Sequence, residues 1–205
     1  MHRPIGRAEG RATAIEFLDA VRIPNAASRV GDYPPVMSGG MRQRVGIALA
    51  MVDDPDIIIA DEPTTALDVT VQAQVLNLLA DLKAEFDLTS LFISHDFALV
   101  EAVSDRIAVL YFGSVVEVGP AEEIFRAPRQ PQTRLLADSA PVVGRPLTAP
   151  EARDTELPDP LNPPPGCAFA ARCPLATKRS RAEIPPLAEG RAGTSVACFH
   201  PLDDG

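Results

Sequence analysis

The chain has 205 residues, 46% of them hydrophobic, which is enough for a globular core. A formal net charge of -9, no Trp and 5% aromatic content argue against a basic phosphate-binding face or a base-stacking platform, so no nucleic acid is expected among its partners. No apolar run approaches the roughly 20 residues of a membrane span, the first residues lack the apolar core of a signal peptide, and three cysteines do not suggest a secreted disulfide framework. A cytosolic domain is expected, with any membrane contact made through a partner.

Residues 1–11 are polar and rich in Arg and Gly and are expected to fray. Residues 12–21 carry Ala14, Ile15, Leu18 and Val21 at helical spacing, and residues 25–35 read as a loop. Ser38 is a good N-cap; Met41, Val45, Ala48, Leu49 and Val52 then fall on one helical face. A helix start with Gly39 and Gly40 gives free N–H groups and close backbone approach, which suits a phosphate as well as it suits an ordinary capped helix.

Residues 57–60 are wholly apolar and β-branched up to Ala60, as in a parallel strand buried on both faces. The strand ends in Asp61 and Glu62. Ligands of open α/β sheets bind at carboxyl ends of strands, so Asp61 is placed to hold a hydrated Mg²⁺ and Glu62 to accept a proton from water. The alternative is a pair of loop carboxylates capping the next helix. Residues 70–86 form an amphipathic helical pattern, and residues 91–93 a second strand ending in Ser94, His95 and Asp96. His95 can reach a phosphate or a bound water, or serve as a structural histidine. Residues 97–103 read as a short helix, 106–111 and 114–118 as a hairpin around Gly113, and Pro120 as a helix start. Most of the 21 prolines lie at or after Pro120; residues 138–165 look extended, and the tail beyond holds every cysteine.

In this order the motifs resemble those of ABC-transporter ATPases. Residues 37–44 (Met-Ser-Gly-Gly-Met-Arg-Gln-Arg) resemble the ABC signature, residues 57–62 a Walker B strand, residues 66–68 (Ala-Leu-Asp) the D-loop, and His95 the switch histidine. The wording of residues 60–74, and the tail with Cys167, Cys173-Pro174 and Cys198, resemble the ATP-binding subunits of oligopeptide/dipeptide and nickel importers. The resemblance implies an α/β partial P-loop NTPase fold with a mainly parallel sheet and a Pro-rich C-terminal extension. It divides the chain into residues 1–128 (nucleotide-binding part), 129–165 (Pro-rich linker) and 166–205 (Cys-containing extension). It implies ATP and Mg²⁺ as cofactors, with Glu62 as catalytic base, His95 as γ-phosphate sensor and Asp61 as Mg²⁺ anchor. Ser38, Gly39, Gly40 and Gln43 would bind ATP in trans, and Asp68 would lie at a dimer seam. The partners implied are a second ABC ATPase subunit (same or different), transmembrane permease subunits and, indirectly, a peptide-binding protein. The place implied is the cytoplasmic face of the cell membrane, peripherally.

The sequence departs from this pattern. No Gly-x-x-x-x-Gly-Lys-Ser/Thr occurs in it. The chain is therefore expected to be the C-terminal portion of such a domain, unable to hydrolyse ATP alone; the alternative is a non-catalytic or regulatory partner lending its signature to a full-length ATPase. Without the strands that flank it in such domains, the apolar strand at 57–60 is expected to keep unpaired edges and open apolar faces, an aggregation hazard. Some family members carry four tail cysteines that hold an iron–sulfur cluster. Here Ser180 stands where the third would fall, leaving Cys167, Cys173 and Cys198, with His200 as a conceivable fourth ligand for iron or zinc. Gln130-Pro131-Gln132 replaces the family's His-Pro-Tyr.

Overall fold

The computed structural model describes residues 6–65, 67–139, 158–159 and 161–203. The chain divides at His95 into two units, which are taken in turn.

The first unit opens with α1 (Arg7–Ala20), so residues 7–11, expected to fray, are helical; Gly6 accepts the first helical bond, from Gly10 N at 2.9 Å. The expected loop at 25–35 contains a single turn, α2 (Ala26–Arg29), and a 3₁₀ turn begins at Pro34. Helix α3 (Gly39–Met51) starts at the Ser38 cap. Strand β1 (Ile57–Asp61), helix α4 (Val69–Glu85) and strand β2 (Thr89–Ile93) form a βαβ unit: β1 and β2 are parallel, in register from Ile57 opposite Thr89 to Asp61 opposite Ile93. Leu18, Val21, Ile47, Met51, Ile58, Val75, Leu78 and Leu82 make one core.

Two packing expectations fail here. The buried residues of α3 are Ile47, Ala48 and Met51, while Leu49 and Val52 face out. The helix is apolar over much of its circumference, so its sequence does not fix the phase; packing against both α1 and α4 does. Strand β1 is not buried on both faces. Ile58 and Ala60 point into the core, but Ile57 is 60% and Ile59 65% exposed, beside Leu91 at 52% and Ile93 at 44%. Among the described residues, one face of this two-stranded sheet is covered and the other is open.

The second unit begins with α5 (Phe97–Val103), capped by Asp96, which accepts from Ala98 N and Leu99 N at 3.1 and 3.2 Å. Strands β3 (Arg106–Tyr111) and β4 (Ser114–Pro120) pair as an antiparallel hairpin. Its two-residue turn, Phe112 and Gly113, has φ +51° and +75°, the double left-handed pattern that suits strand twist. Then come α6 (Ala121–Arg126) and α7 (Pro131–Ser139), a helix within the span that the sequence assigns to the linker. The side-chain carbonyl of Gln130 caps α7, accepting from Gln132 N and, at 3.2 Å, from Thr133 N. The buried Glu117 on β4 holds the approach to α7, accepting from Arg129 N at 2.8 Å and Gln130 N at 3.2 Å. In the tail, α8 (Lys178–Ala182) precedes β5 (Ala188–Glu189) and β6 (Ser195–Val196), and the sheet runs β3-β4-β6-β5, antiparallel throughout. The molecule thus carries a parallel pair of strands and an antiparallel four-stranded sheet.

Candidate functional site

The polar groups of the first unit gather where β1 and β2 end together. Because Asp61 is in register with Ile93, the residues that follow each strand, Glu62 and His95, come side by side although 33 positions apart. Glu62 leaves the strand with φ +47°, a left-handed conformation disfavoured for a side chain of this size, and its N–H donates to Ile93 O at 2.9 Å, fixing the turn to β2.

The Glu62 carboxylate is held on both oxygens. Oε1 lies 2.7 Å from His95 Nδ1 and accepts from His95 N at 3.2 Å; Oε2 accepts from Thr65 Oγ1 at 2.9 Å. The His95 hydrogen bond first, and the Thr65 bond second, hold the Glu62 carboxyl below the ordinary glutamate range. An ionised carboxylate only accepts, so the hydrogen between the pair sits on Nδ1 of the ring. Thr65 was not singled out by sequence; its only signal is its place three residues after Glu62, the reach of a turn side chain folding back. Thr64 is buried behind the site and accepts from Gln72 Nε2 of α4 at 3.4 Å.

Asp61, at the end of β1, is exposed beside this pair. Among the described residues no three His, Cys, Asp or Glu side chains converge as metal ligands. A lone exposed carboxylate still fits Mg²⁺, which takes one or two carboxylates and completes its shell with substrate phosphates and water.

Ser38, Gly39, Gly40 and Gln43 lie at the start of α3. Ser38 Oγ accepts from Met41 N at 3.3 Å, as the sequence predicts for a cap. A Cβ on Gly40 would fall 2.5 Å from Val71 Cγ1, so that glycine is required by the close approach of α3 to α4. Asp68 caps α4, accepting from Val71 N at 3.0 Å. Arg44 of α3 donates to Gln74 Oε1 of α4 and to Arg22 O, just beyond α1, each at 3.0 Å.

In the second unit, Cys167, Cys173 and Cys198 come together around one cavity that Ser180 and His200 also line. None of the three is in a disulfide. Burial pushes the Cys198 thiol up; the N–H of His200, donating to Sγ at 3.4 Å, opposes it, and the neighbouring Cys173 and Cys167 add to the rise.

The capped helix start and the apolar strand that ends in Asp61 and Glu62 lie within a stretch that matches a known family. Residues 5–65 match the ABC transporter family, and the dimeric post-hydrolysis state of the ATP-binding cassette MJ0796, bound to ADP and Pi, is similar at TM-score 0.50 and 30% identity over 59% of this chain and 51% of that one. Residues 116–179 match the oligopeptide/dipeptide transporter C-terminal region, and the chain is similar to ATP-binding proteins of ABC transporters; its fold is that of the P-loop NTPases. A probable peptide ABC transporter ATP-binding protein of Sinorhizobium fredii is 47% identical over 95% of this chain and 55% of its own length. Putative peptide import ATP-binding proteins of Brucella melitensis and Brucella abortus are each 45% identical, over 92% and 97% of this chain. The chain spans between 55% and 59% of the length of these relatives. Among the described residues no helix is long and apolar enough to cross a membrane.

Proposed function

We propose that this chain is part of the ATP-hydrolysing component of a peptide importer, contributing the catalytic carboxylate of one nucleotide site and the signature helix of another. The observation that carries the reading is the Glu62 carboxylate, held by His95 and Thr65 one residue beyond Asp61. The names of the relatives support peptides as the transported class.

Glu62, ionised at neutral pH, accepts a proton from the water that attacks the γ-phosphorus of ATP, while the bond from that phosphorus to the ADP oxygen breaks. His95 keeps the carboxylate aimed by donating from Nδ1. Asp61 is the residue to hold Mg²⁺, which neutralises charge on the phosphates when bound. The first N–H groups of α3, behind Ser38, Gly39 and Gly40 and with Gln43 a turn on, face the γ-phosphate of an ATP held by a second ATPase subunit, the same or a different chain. Asp68 lies at the seam between the two. Closure of the pair on ATP is passed to transmembrane permease subunits, to which a binding protein delivers peptide, so the chain works peripherally at the cytoplasmic face of the cell membrane. Residues 1–128 do the nucleotide work, 129–165 connect, and 166–205 form the extension.

The 205 residues contain no Lys-Ser/Thr phosphate loop, so ATP has to be held by a loop on another stretch of polypeptide. The same fact favours a second reading, a non-catalytic partner that lends only its signature. The test assays the chain alone and mixed with a polypeptide carrying the P-loop region of a full-length relative. No turnover is expected alone; turnover is expected in the mixture, falling by about 10²- to 10⁴-fold in E62Q. The second reading predicts a mixture indifferent to E62Q but impaired by change at Gly39. Turnover by the chain alone, or a mixture indifferent to both changes, refutes the proposal.

A further inference from the structure

Some members of the family that this chain resembles hold an iron–sulfur cluster on four tail cysteines, and the residues here do not fit one. Such a cluster takes four thiolates, and the chain offers three. Ser180, where the third of the four cysteines would fall, is already engaged. Its Oγ donates to Thr177 O at 3.0 Å and accepts from Thr177 N at 2.8 Å, while its own N–H donates to Thr177 Oγ1 at 3.4 Å. This is a reciprocal capping box at the start of α8, and Ser180 is buried in it. Turning Oγ toward the cysteines would leave the Thr177 N–H without its partner. His200, the other conceivable ligand, is bound into the same box, its Nε2 lying 3.1 Å from Thr177 Oγ1.

The space is also too small. The cavity that the three cysteines share measures about 20 Å³, room for roughly one water. Its walls are in backbone contact: Cys167 N donates to Ser180 O at 2.8 Å, and a Cβ on Gly166 would lie 2.5 Å from that same oxygen. Any inserted cluster would have to part these two segments. Phe169, fully buried, lines the same cavity, with Tyr111 edge-on to it at 5.4 Å, while Arg179 stacks at 4.0 Å over Phe199. The tail is joined to the hairpin by Ala197 N donating to Val116 O at 2.8 Å.

We infer that the cysteine-bearing tail folds and stays folded without a metal ion or an iron–sulfur cluster, the Thr177–Ser180 hydrogen-bond box doing the joining work of a fourth ligand. The inference concerns the second unit alone and is independent of the proposed ATPase role.

The experiment uses the full 205-residue chain purified under anaerobic conditions. Iron, zinc and acid-labile sulfide are measured as isolated and again after incubation with ferrous iron and sulfide, and thermal unfolding is followed with and without a chelator. The expected result is no stoichiometric iron, zinc or sulfide in either sample, no visible charge-transfer absorption, and a Tm indifferent to chelator. S180A is expected to lower the Tm of the tail, read from hydrogen exchange at Cys167 N and Ala197 N. One cluster or one zinc per chain, a Tm that falls with chelator, or an S180A tail as stable as the parent overturns the inference. The metal analysis stands on the unmutated chain, so a variant that does not fold leaves it decisive.

Discussion

Ile59 and Leu78 lie in the same unit, one facing away from the core and the other buried within it, and the contrast between them is measurable. Full burial of an Ile side chain is worth about 1.5–3 kcal/mol. Ile59 is 65% exposed, so it realises about a third of that, and Ile59→Thr, which keeps the β-branch, is expected to destabilise by roughly 0.5–1 kcal/mol. Leu78 on α4 is 1% exposed and surrounded by the core of α1, α3 and α4; Leu78→Ala is expected to destabilise by about 2–5 kcal/mol. Hydrogen exchange of the α4 amides is the assay, because it reports the first unit separately from the second. Sedimentation velocity run alongside is expected to show less self-association for Ile59→Thr, since an open apolar sheet face is a template for it. If Ile59→Thr destabilises the unit as much as Leu78→Ala does, the outer face of β1 is covered in solution and the reasoning from its exposure is wrong.

Gly40→Ala is expected to destabilise by about 1–3 kcal/mol despite the better helix propensity of Ala, because its Cβ meets Val71 Cγ1 at 2.5 Å; adding Val71→Ala is expected to restore most of the loss, a coupling read from urea midpoints. Thr65→Val is expected to leave stability within about 0.5 kcal/mol of the parent while lowering turnover of the P-loop-complemented mixture, with Thr65→Ser retaining it; loss of turnover in both variants would show that the hydroxyl is not what matters. Cys198 is expected to react with iodoacetamide only at higher pH than a free thiol, because burial raises its pKa. The sign for stability follows: the folded-state pKa lies above the unfolded one, so the contribution is complete below the unfolded value near 8.5 and is lost as pH rises through the folded value, a fall in Tm that Cys198→Ala is expected to reduce.

The parts of this molecule that were legible in sequence are those set by neighbours in the chain. The Ser38 cap, β1 ending in Asp61 and Glu62, α4, α5 and the turn at Gly113 all rest on local chemistry, and each lies where the residue pattern puts it. What depended on distant partners was not readable. Nothing within β1 says that only one face will be covered, since Ile57 and Ile58 are the same residue. Helix α7 was hidden by the proline-rich sequence around it, although its one proline, Pro131, sits at the first helical position, where a missing N–H does no harm, and Gln130 supplies the cap. Glycine 40 looked like room for a ligand, and the structure gives it a second reason in Val71. The pairing of Glu62 with His95 follows from a strand register that no local pattern reveals, and the third member, Thr65, is an ordinary turn residue until the carboxylate beside it is seen.

The left-handed backbone at Glu62 sets two selective pressures against each other at one position. Gly, or to a lesser degree Asn, would adopt φ +47° with less strain than Glu, so a library of position-62 variants sorted for resistance to unfolding is expected to drift toward those residues. On the proposed function, the same library sorted for peptide uptake in cells is expected to keep Glu. Residue 62 would then separate copies of this gene still under selection for transport from copies retained only as a folded partner.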